Sequence, residues 1–172
     1  MLTLVGLLLI ALAGLLQTTM LPVLVPQLVH LDVRPDLMVL LIVAVVLADS
    51  LREATIWAFA GGIFLDLLSG LPLGANALCL LLTAILAYLG SRNPFRVQLV
   101  MPLGMIFVCT VFYYLLLLAL RTLLGYHFSW GDALAGVVLP TALLNVALMP
   151  LVYTFVLWLA DHVRPSLPEE WQ

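Results

Sequence analysis

Charged residues are so sparse in this chain that the gaps between them outline its elements. Residues 1–31 carry none, and charge-free runs of 25, 24 and 28 residues cover 67–91, 97–120 and 133–160. Each exceeds the roughly 18–20 residues that cross a hydrocarbon core of about 30 Å. Two shorter apolar runs, Leu37–Ala48 and Ala54–Leu65, have 12 residues each and flank Asp49, Arg52 and Glu53. Extended over their flanks, they give helices of about 17 residues, roughly 25 Å long, enough for a thin or locally adapted bilayer. The pattern predicts an all-α polytopic membrane protein with six transmembrane helices, over about 3–25, 35–50, 51–69, 76–91, 94–121 and 132–160. The alternative for the second and third is a re-entrant hairpin.

Local signals at the helix starts agree with these cuts. Ser50-Leu51-Arg52-Glu53 fits a capping box, in which the serine and the glutamate satisfy orphan N–H groups. Asn93-Pro94 reads as N-cap and first residue of helix five. Pro35 suits the first position of helix two and would put Asp36 in its first turn, where the helix dipole favours a carboxylate. Ser129-Trp130-Gly131-Asp132 reads as the turn and cap before helix six.

Composition narrows the class. Of 172 residues, 65% are hydrophobic and 9% charged, against about half and a quarter in soluble domains. That excludes a soluble enzyme, a disordered tail and a nucleic-acid-binding domain. All six basic residues are arginines, so chemistry that needs a lysine is excluded as well. Their distribution sets an orientation. With the N-terminus inside, Arg52, Arg92, Arg96 and Arg164 lie at inner ends and Arg34 and Arg121 at outer ends. The expectation is a single integral membrane domain, with both termini cytoplasmic and Asp161–Gln172 a short polar tail. The first run has no basic residue before it and reads as a retained helix, not a signal peptide.

Inside the apolar mass, small residues are ordered. Ala54, Ala58, Gly62, Asp66 and Gly70 recur every four positions along helix three. Such ridges let helix backbones approach closely, either within the bundle or against a partner or a second copy of the chain. Helix four has a matching stripe, Ala75, Cys79, Thr83, Ala87 and Ser91, and the two are expected to pack together. Asp66 is the carboxylate lying deepest in a span. It reads as a packing or capping group first, a partner contact second and a transport residue third. Asn145, between Pro140 and Pro150 in helix six, should bond another helix or a carbonyl freed by proline. Tyr113 and Tyr114 read as packing residues with bonded hydroxyls.

No catalytic constellation is present. Cys79 and Cys109 read as small buried hydrophobes. His30, His127 and His162 have no second ligand at helical spacing, so neither metal nor cofactor is expected.

Three segments taken together are similar to the rod shape-determining MreD family. They are Leu16-Gln17-Thr18-Thr19, Arg34-Pro35-Asp36-Leu37 and the run from Gly61 through Asp66 and Pro72 to Gly74. The order and spacing of these segments, the late Asn145 and Pro150 and the span count extend the resemblance over essentially the whole chain. The resemblance implies a non-enzymatic component of the bacterial inner membrane. It would partner the single-span protein MreC and work with MreB, RodA and its transpeptidase in peptidoglycan synthesis. It also implies a fold like that of the six-helix substrate-binding subunits of energy-coupling-factor transporters, an analogy that does not carry function.

Two functions follow as expectations. The first is a membrane scaffold, with Ala58, Gly62, Asp66, Gly70 and Asn145 as packing or partner contacts and Arg34 and Asp36 as outer-loop contacts. The second is a vitamin-type binding subunit of a transporter, which would need a polar-lined pocket open to the outside. Under the first reading, any cavity should be apolar and filled by lipid.

Overall fold

The structure is a computed structural model that describes residues 2–20, 34–48, 51–70, 72–92 and 100–163. Among these residues the chain is all helical, without strands, and forms six helical stretches. Helix α1 (Leu2–Leu15) continues through a π-helical turn, Leu16–Met20. Then come α2 (Leu37–Ala48), α3 (Leu51–Ser69), α4 (Ala75–Ser91) and α5 (Val100–Leu123). Helix α6 (Leu139–Val163) is reached through a one-turn helix, Trp130–Ala133, and a second π-helical segment, Leu134–Val138. Two stretches, Met101–Leu123 and Trp130–Ala160, are long and apolar enough to cross a membrane.

The expected spans and the observed helices agree closely for α3 and α4 and differ elsewhere in instructive ways. Helix α6 runs on to Val163, so the start of the expected polar tail is helical. Residues 164–172, with Pro165 and Pro168, lie outside the described residues. So do Ser50 of the expected capping box and Asn93-Pro94. Glu53, the other half of that box, has Oε2 buried without a hydrogen-bond partner. Ser129 does cap its helix, accepting from the Asp132 N–H at 3.5 Å. Helix α2 begins at Leu37, not at Pro35, and Asp36 is its N-cap. The Asp36 carbonyl accepts from Leu40 N at 3.1 Å and its carboxylate from Val39 N at 3.2 Å. An aspartate is a strong N-cap and here outcompetes proline at the first helical position.

Helix α2 is the pillar of the bundle and packs against each of the other five helices. It has 12 residues, roughly 18 Å at the α-helical rise. Met38–Leu40 and Ile42–Val46 are buried. A helix that is apolar on all sides has no face to offer water, so burial throughout is its stable solution.

The most extensive interface joins α3 and α4. Ala54 and Ala58 are fully buried and Gly62 and Asp66 are buried with them, so the ridge points into the bundle. A β-carbon at Gly62 would overlap the backbone of Ala77 on α4. The stripe on α4 answers it, with Ala75, Cys79, Thr83 and Ala87 all buried. The link between the helices turns on Gly70 (φ 66°) and Gly74 (φ 98°), left-handed positions that glycine fills without strain. Gly70 is exposed, with nothing near its Cα, so it ends the helix instead of extending the ridge.

The outer surface is apolar. Leu8, Leu78, Leu143 and Leu151 are each more than half exposed, and Phe59 and Trp158 stand beside them in the same class. A surface of this kind fits a multi-pass membrane protein.

Candidate functional site

The C-terminal ends of α1, α3 and α5 and the N-terminal ends of α2 and α4 meet at one end of the bundle. Among the described residues, five of the seven buried polar side chains, Asp36, Asp66, Asn76, Thr110 and Asn145, gather toward that end, in two nodes.

The first node closes the α3–α4 hairpin. Asp66 is 2% exposed. Its Oδ2 accepts from Gly74 N at 2.8 Å, and its Oδ1 accepts from Asn76 N and Asn76 Nδ2, both at 2.9 Å. Gly74 is the N-cap of α4 and has no side chain to do the work. The carboxylate of one helix therefore caps the next, placed at the positive end of its dipole. Asn76 passes the connection on: its Oδ1 accepts from the Tyr113 hydroxyl at 2.8 Å, and its Nδ2 also donates to Ser69 Oγ at 3.3 Å. Helices α3, α4 and α5 are thus joined through one buried amide.

The second node anchors α2. Asn145, fully buried on α6, accepts from Asp36 N at 2.9 Å and donates to Thr110 Oγ1 on α5 at 3.1 Å. It bonds two other helices, as one of the two expected uses had it. Gln17 Oε1, on the π-helical end of α1, accepts from Met38 N at 3.2 Å. Together with the Asp36 carboxylate, these groups take up the N–H donors of Asp36, Met38 and Val39, which would otherwise be orphaned in an apolar core.

The two outer-loop residues separate. Arg34 is exposed. Asp36 is 2% exposed and held in the second node, so it is a structural cap and not a group offered to a partner. Ala58, Gly62, Asp66 and Asn145 are all internal packing or bonding residues of this chain. Sequence reasoning missed Asn76 and Thr110. The signal for Asn76 was present: a lone amide two residues after the Pro-Leu-Gly turn, within reach of Asp66 once the turn is built.

Between the nodes lies a cavity of about 370 Å³. Its lining includes Gln17, Asp36, Ser69, Asn76, Tyr113 and Tyr114, with both Arg34 and Arg121. This corrects the expectation of an apolar cavity. Hydroxyls, amides and a carboxylate reach it because the cap of α2 and the first turn of α4 stand at its wall, and the helix ends bring their polar groups with them. Two smaller cavities adjoin it. One of about 300 Å³ lies under Tyr126, His127 and Phe128, and one of about 270 Å³ lies between α5 and the π-helical segment. Arg121 lines all three.

Among the described residues no cluster of three histidine, cysteine or acidic side chains could hold a metal. Cys79 and Cys109 are free and buried. The chain matches no protein-family model, no curated protein and no solved structure among those compared with it.

Proposed function

We propose that the chain is a non-enzymatic membrane scaffold of the MreD type, in the inner membrane of a bacterium. It would span the bilayer six times with both termini cytoplasmic, bind a single-span MreC-like partner, and through it help control peptidoglycan synthesis and rod shape. One observation carries this reading. The three separate segments that resemble the family, and Asn145 with them, converge on the two nodes at one end of the bundle. Gln17 and Asn145 meet the start of α2, and Asp66 meets Gly74. Gln17, Asp36 and Asn145, far apart in the chain, thus meet at one node, and Asp66 closes the other within its own segment. With the small-residue ridge and Asp36 taken up inside, the outward apolar surface and Arg34 are what remain for a partner. The test is copurification with an MreC-like protein, in detergent and in native lipid. Association in either supports the scaffold, and failure in both rejects it.

The second reading, a vitamin-type binding subunit of a transporter, is favoured by the polar-lined cavity. Copurification of the chain with a bound vitamin would decide for it.

A further inference from the structure

The three adjoining cavities differ in character, and the difference specifies a ligand. The largest mixes leucines with hydrogen-bonding groups and holds two guanidinium side chains, Arg34 and Arg121. The one between α5 and the π-helical segment is lined mostly by apolar groups, among them Leu118, Phe128 and Val138. Arg121, Tyr114 and Leu117 belong to both walls, so the polar chamber and the apolar branch are neighbours. The branch reaches the outer apolar surface at Val137, which is 44% exposed. A π-helical turn widens a helix locally and is found often at functional sites, and Leu134–Val138 is where this branch lies.

We infer that this end of the bundle holds a single anionic lipid. Its phosphate lies between Arg34 and Arg121, and one chain leaves through the branch between α5 and the π-helical segment. Guanidinium groups bind phosphate through paired, charge-assisted hydrogen bonds. Asp36 stands in the same wall, with its carboxylate turned partly to the first turn of α2. It disfavours a second negative charge and favours a head group that carries hydrogen-bond donors. Phosphatidylglycerol has that chemistry: one negative charge and two free hydroxyls. A chamber of about 370 Å³ is of a size that holds small ligands. The inference rests on the cavity and not on the scaffold reading. Loss of partner binding with lipid binding intact, or the reverse, tells the two apart.

The test uses the full chain in detergent, with binding followed by native mass spectrometry. The probes are dioctanoyl phosphatidylglycerol, dioctanoyl phosphatidylcholine and glycerol 1-phosphate. The first should bind, and the second about tenfold more weakly, because its head group offers no donor and a fixed positive charge. Glycerol 1-phosphate should not bind at the same concentrations. Arg34→Gln with Arg121→Gln should weaken phosphatidylglycerol about tenfold or more. Val137→Trp should weaken it by filling the branch. Both variants alter exposed side chains, and an unchanged melting temperature and elution profile would certify the fold. Equal binding of the two lipids would overturn the assignment, as would binding that survives the double arginine variant. Glycerol 1-phosphate binding as tightly as the lipid would assign the site to a soluble phosphate compound instead.

Discussion

The two polar nodes solve the same problem at different distances. At the Asp66 node the partners are 8 and 10 residues apart. A carboxylate, a glycine turn and a close Gly62–Ala77 crossing build a hairpin from adjacent sequence. At the Asn145 node the partners are 35 and 109 residues apart, and one amide holds three helices that meet only once the bundle is assembled. The first node makes an element, and the second docks elements that already exist. Breaking the first should remove local structure, whereas breaking the second should loosen assembly while leaving the helices formed.

Substitutions rank this contrast. The largest effect is expected from Gly62→Leu, since the added bulk meets the Ala77 backbone and not a flexible side chain. A loss of about 3 kcal/mol or more should appear as aggregation on gel filtration or a strongly lowered melting temperature. Next is Asp66→Ala, which takes the acceptor from three N–H donors, two of them buried, and should cost about 3 kcal/mol. Asp66→Asn keeps one acceptor oxygen and should recover about half of that loss in the same thermal measurement. Asn145→Ala should cost about 2 kcal/mol. Hydrogen exchange should rise at the start of α2, whose Asp36 N–H loses its acceptor, while the α3–α4 hairpin stays protected. The smallest change is Tyr113→Phe, which removes one hydrogen bond to Asn76, about 1 kcal/mol. An Asp66→Ala variant with exchange unchanged at Gly74 and Asn76 would break the comparison.

The helical layout was legible because charges are rare and fall at helix ends. Residues 51–69 and 75–91 follow almost directly from the charges at Asp49, Arg52 and Glu53 and from the Pro-Leu-Gly turn. The four-residue ridge was legible too, but not its direction. Periodicity says that Gly62 and Asp66 share a face, and only packing says that the face is turned to α4. The place of Asp36 was misread for a related reason. A carboxylate two residues after an arginine looks like a loop contact, yet Asp36 stands buried at the top of a buried helix. There an aspartate is worth more as a cap. The polar cavity had no signal in the chain, since its wall is assembled from the ends of five helices.

The scaffold reading makes the outer apolar surface the working part and the polar interior its support. Photo-cross-linking in living membranes separates the two. A photoreactive residue at outward Leu8, Leu78 or Leu151 is compared with one at a buried position, Ala58. The account predicts a cross-linked band with a single-span membrane protein from at least one outward position and none from Ala58. Outward positions that cross-link to no protein, in a chain that is folded, would contradict it.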